Sequence, residues 1–97
     1  MAIRKLDDEE VSERLQRLPG WSRNEHWIEK TYQFTDFSSA ISFVNAAARV
    51  AESLNHHPDI LVHYKQVTLR NWTHVRGGLT EHDFTLAEGV EKIVASG

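Results

Sequence analysis

Three segments of the chain place apolar residues at the three- and four-residue spacing of an amphipathic helix. The first is predicted over residues 7–17, where Asp7 has the position of an N-cap and Glu10 completes a capping-box pattern. Leu6 before the cap and Val11 after it have the positions of a hydrophobic staple. These signals predict a short helix that buries one face.

The second helical pattern is the longest, and it is predicted to run from Asp36, its N-cap, to about Leu54. Its apolar stripe is wide and rich in alanine, which suits close packing against a sheet or another helix. Pro58 ends the pattern because proline cannot continue a helix. A third helix is predicted after Thr80 as N-cap, with Asp83 at the third helical position in the manner of a capping box.

Between the helices the apolar residues alternate with polar ones, which is the pattern of a half-buried strand. In the second such segment Lys30 interrupts the apolar side. Strands are predicted around residues 20–23, 27–34, 60–64 and 67–73. The order α-β-β-α-β-β-α predicts an α+β fold: a single domain over residues 1–97, with a four-stranded antiparallel sheet and helices packed on one face.

The turn between the third and fourth strands is weakly marked, because Lys65-Gln66 lacks the glycine, asparagine or aspartate of most tight hairpins. With Lys65 and Gln66 as its two central residues, His57 faces His74 across the hairpin. Facing residues of antiparallel strands have Cβ atoms about 4.5–5.5 Å apart. The topology is therefore predicted to bring these two histidines together.

Composition restricts the partners and the compartment. The chain has 97 residues, no cysteine and a formal net charge of -3. A negative balance argues against nucleic-acid binding, which needs a basic face to neutralise phosphates. No segment approaches the ~18 apolar residues of a membrane span, and residues 1–10 lack the apolar core of a secretory signal. We expect a cytoplasmic protein without a nucleic-acid or membrane partner, whose small size favours homo-oligomerisation.

Three of the six histidines are predicted to meet at one end of the sheet. His56 and His57 follow the long helix, and the hairpin brings His74 towards them. Asp83 begins the last helix near the same place, and Glu52 lies one helical turn before His56. The cluster has three interpretations: groups that only satisfy the backbone, a metal site, or acid/base catalysis by imidazole. Three converging histidines favour function over a purely structural role, and these residues alone leave metal binding open.

The other three histidines are predicted to be surface residues. His26 lies in a predicted turn and His82 in the first turn of a helix. His63 lies within a strand and is expected to face solvent or another subunit. A lone histidine in a short soluble domain is more often solvated than catalytic.

A longer motif gives the cluster a family resemblance. Its seven fixed positions span 32 residues in the pattern Glu52-x3-His56-His57-Pro58-x5-Tyr64-x9-His74-x8-Asp83. This pattern resembles the signature of the pterin-4a-carbinolamine dehydratases. The resemblance extends over nearly the whole chain, through Gly20-Trp21, Phe34-x-Asp36-Phe37 and Gly78-Leu79-Thr80.

The resemblance implies a four-stranded antiparallel sheet, assembly as a homodimer or homotetramer, and a pterin substrate. It also implies dehydration of 4a-hydroxytetrahydropterin to quinonoid dihydropterin without a metal or an organic cofactor. This reaction recycles the pterin released by aromatic amino-acid hydroxylases. Carried over by position, the active-site histidines are His56, His57 and His74, and the supporting acids are Glu52 and Asp83.

The same resemblance assigns Asn55, Pro58 and Tyr64 to support or substrate binding. Animal members often have aspartate where this chain has Asn55, and an aromatic residue where it has Ile60. The first difference removes a negative charge near the cluster, and the second reshapes the pocket wall. Two alternatives stay open: a non-catalytic dimerisation or coactivator module, and an enzyme of this fold that acts on another pterin, such as a molybdopterin-related one.

Overall fold

The predicted order of helices and strands is confirmed by the computed structural model, which describes residues 3–96 of the chain. The elements are α1 (Asp8–Leu15), β1 (Ser22–Asn24), β2 (Trp27–Gln33), α2 (Phe37–Leu54), β3 (Asp59–His63), β4 (Gln66–Asn71) and α3 (Glu81–Ser96). A one-turn 3-10 helix, His74–Arg76, follows β4 and was not predicted. Residues 1, 2 and 97 of the predicted domain lie outside the described residues.

The four strands form one antiparallel sheet in the order β1-β2-β4-β3. Along β4 the side chains of Val67, Leu69 and Asn71 are buried, whereas Thr68 and Arg70 between them point to the other face. The helices pack on the buried face, where a single cluster of apolar side chains from the sheet and all three helices forms the core. The α+β fold with helices on one face is thus confirmed.

Helices α2 and α3 approach each other closely at Gly89 of α3. Ala40, Ala47 and Ala51 of α2 are almost fully buried. On α3, a Cβ atom added to Gly89 would lie 2.8 Å from Cγ1 of Val50. A larger residue at position 89 would therefore push the two helices apart.

The predicted N-caps are confirmed for the first two helices. Asp7 and Glu10 form the reciprocal capping box, and the Asp36 carboxylate accepts a hydrogen bond from the Ser39 amide at 2.7 Å. Helix α1 ends at Leu15, two residues earlier than predicted. The chain tightens there, because the Leu18 amide donates to the carbonyl three residues back rather than four.

The predicted β3–β4 turn is wrong by one residue. Its central residues are Tyr64 and Lys65, and the strands pair His63 with Gln66. Tyr64 has a φ of 51°, a left-handed conformation that tyrosine seldom adopts. The turn could not be located from composition because neither candidate pair contains the residues that usually mark this conformation.

The shift of the turn also removes the predicted facing of His57 and His74. Strand β3 begins at Asp59 and β4 ends at Asn71, so neither histidine is in the paired region. Continuing the register beyond the strand ends would place His57 opposite Trp72 instead. The histidines meet for a different reason, which lies in the segments that follow α2 and β4.

No helix within residues 3–96 combines the length and the apolar character needed to cross a bilayer.

Candidate active site

The C-terminus of α2 sets the direction of the His56-His57 pair. Asn55 adopts a left-handed conformation with a φ of 50°, and its amide donates to the Glu52 carbonyl at 3.2 Å. The His56 amide donates to the Ala51 carbonyl at 3.0 Å. Together these two bonds form a Schellman motif, which stops the helix and turns the chain. Asparagine is one of the few residues that adopt this conformation readily, so Asn55 has a backbone role at this site.

Asp83 is the buried anchor of the site. Its carboxylate has no solvent exposure and accepts hydrogen bonds from the Thr80 amide and the Thr73 hydroxyl, each at 2.9 Å. The other carboxylate oxygen lies 2.6 Å from Nε2 of His56. One side chain therefore joins the end of α2, the segment after β4 and the start of α3.

Through these bonds Asp83 both caps α3 and orients a histidine of the site. The bond to the Thr80 amide is the capping-box contact predicted for α3, and the Thr80 hydroxyl accepts from the His82 amide at 3.2 Å. The bond to His56 orients an imidazole that is only 12 % exposed. Behind the carboxylate, the side-chain amide of Asn71 donates to the Asp83 carbonyl at 2.7 Å and fixes the backbone.

His57 is held far more loosely than His56. Its Nε2 lies 2.5 Å from a carboxylate oxygen of Glu52, and both side chains are exposed, by 55 % and 76 % respectively. Exposed pairs of this kind contribute roughly 0–1 kcal/mol to stability. Glu52 can restrict the His57 ring without burying it, so this ring is freer to adapt to a ligand.

His74 reaches the site through the 3-10 helix that it begins. An isolated bridge between Thr73 and Gly78 closes the loop around this helix. The His74 ring lies against Trp72, with ring centroids 4.0 Å apart and planes inclined by 33°. Trp72 was not among the predicted site residues.

The three histidines line one cleft of about 360 Å³, open to solvent. Its walls are formed by Asn55, His56, His57, Trp72, Thr73, His74 and Val75. Among residues 3–96, no group of three or more histidine or acidic side chains is arranged to hold a metal ion. The cleft presents separate imidazoles beside an aromatic wall, an arrangement that suits a flat ligand that exchanges protons.

Two predicted motif residues lie away from these walls. Pro58 directly follows the histidine pair and leads into β3. Tyr64 lies at the opposite end of β3, in the hairpin turn, and is 64 % exposed. Within one copy of the chain, the structure does not bring Tyr64 to the histidines.

The three remaining histidines have different environments. His63 is exposed at the hairpin end of β3, as predicted. His82 is also exposed, with its ring centroid 5.6 Å from that of His56. His26, predicted to be a surface residue, is instead half-buried and contacts Trp72. Continued beyond the strand ends, the β3–β4 register places Trp72 beside His57. That register could not be predicted, because the turn between these strands is weakly marked.

This geometry defines a class of protein: a small α+β domain with a histidine cleft at one end of its sheet. The family model described as pterin 4 alpha carbinolamine dehydratase matches residues 4–93. The chain belongs to this family.

Individual relatives agree over nearly the full length. A protein of Roseiflexus sp. is 47 % identical over 90 residues, covering 93 % of this chain and 97 % of the relative. One of Sulfurisphaera tokodaii is 38 % identical over 92 residues, covering 95 % and 99 %. Both are provisionally named as pterin-4-alpha-carbinolamine dehydratases. A crystal structure from Brucella melitensis, titled transcriptional coactivator/pterin dehydratase, aligns with a TM-score of 0.88 at 35 % identity, covering 92 % of this chain and 97 % of that one.

Proposed function

We propose that the protein dehydrates a 4a-hydroxytetrahydropterin to quinonoid dihydropterin and water by histidine acid/base catalysis. The observation that carries the proposal is the meeting of His56, His57 and His74 in one cleft, with His56 fixed by buried Asp83. Membership of the family supplies the substrate class.

The reaction requires two proton transfers at neighbouring atoms. The substrate carries a hydroxyl on C4a beside the N5–H group. A proton delivered to the hydroxyl lets it leave as water, and removal of the N5 proton lets the C4a–N5 double bond form. One acid and one base are needed, and the number of protons is unchanged. General acid/base assistance of this kind is typically worth about 10²–10⁴-fold in rate.

The hydrogen bonds suggest how the roles are divided. An ionised carboxylate only accepts, so Nε2 of His56 donates to Asp83 and its Nδ1 remains as the atom that can take the N5 proton. His74 is exposed and can exchange protons with solvent, which suits the acid that protonates the C4a hydroxyl. His57, loosely held by Glu52, positions the pterin or shares the acid role.

The test is the dehydration rate of freshly generated 4a-hydroxytetrahydropterin, followed by ultraviolet absorbance. We expect the wild type to accelerate dehydration above the spontaneous rate. In His56→Ala and in His74→Ala this acceleration should be at least about tenfold smaller. His63→Ala is the matched control, because it removes an exposed imidazole at the other end of the sheet. No acceleration by folded wild type would refute the proposal for this substrate.

The same variants distinguish the two alternative functions. The Brucella melitensis structure is titled a coactivator as well as a dehydratase. A binding module would retain its partner after loss of His56 and His74, whereas a dehydratase would lose turnover. An enzyme for another pterin would show histidine-dependent turnover only with that pterin. The assay should therefore include a panel of 4a-hydroxytetrahydropterins that differ in the C6 side chain.

We further propose a homodimer or homotetramer. An apolar groove of about 420 Å³ lies between α2 and the end of α3, and Phe37 and Val94 nearby are 51 % and 43 % exposed. A domain this small gains stability by covering such a surface with a second copy. Sedimentation equilibrium should give a multiple of the 11.2 kDa chain mass. A monomer at micromolar concentration would contradict this.

The compartment proposed is the cytosol. The chain has no cysteine that could form a disulfide in an oxidising compartment. Fractionation of cells that express a tagged chain would test this, and enrichment in a membrane or secreted fraction would count against it.

A further inference from the structure

The orientation of His74 depends on an aromatic neighbour. Among residues 3–96, the recorded contact of the His74 ring is with Trp72, and no hydrogen bond to the ring accompanies it. Its backbone carbonyl does accept from the Gly77 amide at 3.1 Å, but that bond leaves the imidazole free to rotate. His56, in contrast, has a carboxylate to hold its ring. Whatever fixes Trp72 therefore also limits the positions available to His74.

Trp72 is supported by His26 from the β1–β2 turn. The His26 and Trp72 ring centroids lie 4.2 Å apart, with planes inclined by 66°. His26 also contacts Trp27, edge to face, at 4.9 Å. The β2–β4 register pairs Ile28 with Asn71, so one further step places Trp27 opposite Trp72. This register brings a turn residue that is distant in sequence against the wall of the cleft.

The backbone of this turn fixes the position of His26. Glu25, the first central residue between β1 and β2, has a φ of 56°, and its carbonyl accepts from Nε of Arg23 at 2.9 Å. His26 is the second central residue and is half-buried. The imidazole is thus placed by a defined turn and does not extend freely into solvent.

We propose that His26 is a positioning residue, which holds Trp72 and through it orients the His74 imidazole in the cleft. The inference rests on the proposed function for the catalytic role of His74, but the contact chain is independent of it. The Trp72 ring contacts two imidazoles, that of His26 and that of His74. Without the His26 ring, Trp72 gains freedom and His74 spends less time in its productive orientation.

The test compares His26→Ala, which removes the ring, with His26→Phe, which keeps an aromatic ring but cannot titrate. His63→Ala is the control, because it removes an exposed histidine at the hairpin end of β3. Three quantities are measured: kcat and KM for the carbinolamine, and the NMR shift of the His74 Cε1–H group. The NMR shift reports the ring current of Trp72 on His74.

We expect His26→Ala to lower kcat by about fivefold to tenfold with KM changed less than about twofold. The His74 resonance should move in the same variant, while His26→Phe restores kcat and the resonance and His63→Ala alters neither. If His26→Ala does not fold, His26→Gln takes its place.

Unchanged kcat and an unchanged His74 resonance in folded His26→Ala would overturn the inference. A rise in KM alone would also overturn it, since that result assigns His26 to substrate contact. Failure of His26→Phe to restore kcat would also overturn it, because an aromatic ring at position 26 would then not be enough to hold Trp72. If the wild type shows no dehydration, the resonance still tests the positioning, so the two proposals fail separately.

Discussion

At the scale of single residues, the two carboxylates of the site differ in what they hold together. Asp83 is fully buried and receives three donors from three segments of the chain. Glu52 is 76 % exposed, and its carboxylate pairs with the exposed His57 ring. The same chemical change at these positions should therefore have very different effects on folding.

We predict that Asp83→Asn lowers the free energy of unfolding by about 1–3 kcal/mol, because an amide nitrogen would replace one of the buried acceptor oxygens and face a donor. Glu52→Gln, the matched control on the other histidine, should stay within about 0.5 kcal/mol of wild type. Urea denaturation followed by circular dichroism measures both. Equal stabilities of the two variants would show that Asp83 is not the anchor of the site.

At the scale of elements, the helices could be predicted because their signals are local. The caps at Asp7 and Asp36 are short-range patterns of residue type, and both are present in the structure. The order of the strands along the chain also followed from apolar alternation. The β3–β4 turn could not be placed, because its conformation is imposed by pairing across the sheet rather than by Tyr64 or Lys65.

The histidine cluster was predictable only in part. His56 and His57 are adjacent in the sequence, but the hairpin register that was expected to bring His74 to them is not the one in the structure. Trp72 and His26, in contrast, enter the site through the β2–β4 register, which no local pattern reveals. A single sequence does not reveal which residues reach a site through long-range strand pairing.

The left-handed Tyr64 gives an element-scale prediction. Tyr64→Asn should raise the free energy of unfolding by up to about 1 kcal/mol, since asparagine adopts this conformation at lower cost. The contact of Lys65 with the Tyr64 ring, 5.3 Å to its centroid, is exposed and offsets little of this gain. Thermal unfolding of the variant measures the effect.

The same variant tests whether Tyr64 acts in the proposed reaction. Because Tyr64 lies at the far end of β3 from the cleft, kcat and KM for the carbinolamine should be unchanged. A rise in KM would instead return Tyr64 to the substrate-binding residues named by the motif, and would require a second copy of the chain to bring it to the cleft.

At the scale of the whole molecule, Glu91 ties α3 to the β1–β2 side of the sheet. One of its carboxylate oxygens accepts from Nζ of Lys30 at 2.9 Å, from Nε1 of Trp21 at 3.3 Å and from the Tyr32 hydroxyl. Lys30 also donates to the Pro19 carbonyl at 2.9 Å. The lysine that interrupts the apolar side of β2 is thus explained, because it neutralises a half-buried carboxylate at the edge of the core.

This network couples folding to pH. Partial burial raises the pKa of Glu91, but hydrogen bonds from Tyr32 and Lys30 and the lysine charge outweigh it, leaving the pKa below its usual 4.5. Burial and the contact with Glu91 raise the pKa of Tyr32 well above its usual value. Because the Glu91 carboxyl binds protons more weakly in the folded state, its contribution is fully present above pH 4.5 and is lost as pH falls through the lowered pKa.

We therefore predict that Glu91→Gln is less stable than wild type at pH 7 and that this difference shrinks as the pH falls below about 4.5. The comparison must be a difference between variants, because the hydrogen bond with Arg4 also lowers the pKa of Glu10 to about 2 and adds its own acid dependence to every variant.

Glu88→Gln is the control, since it removes the same charge from an exposed position one turn earlier on α3. Urea unfolding from pH 7 to pH 3 gives the three curves. A wild-type-to-Glu91→Gln difference that stays constant over this range would show that the network holds α3 by packing alone and that its charge has no part in the stability of the fold.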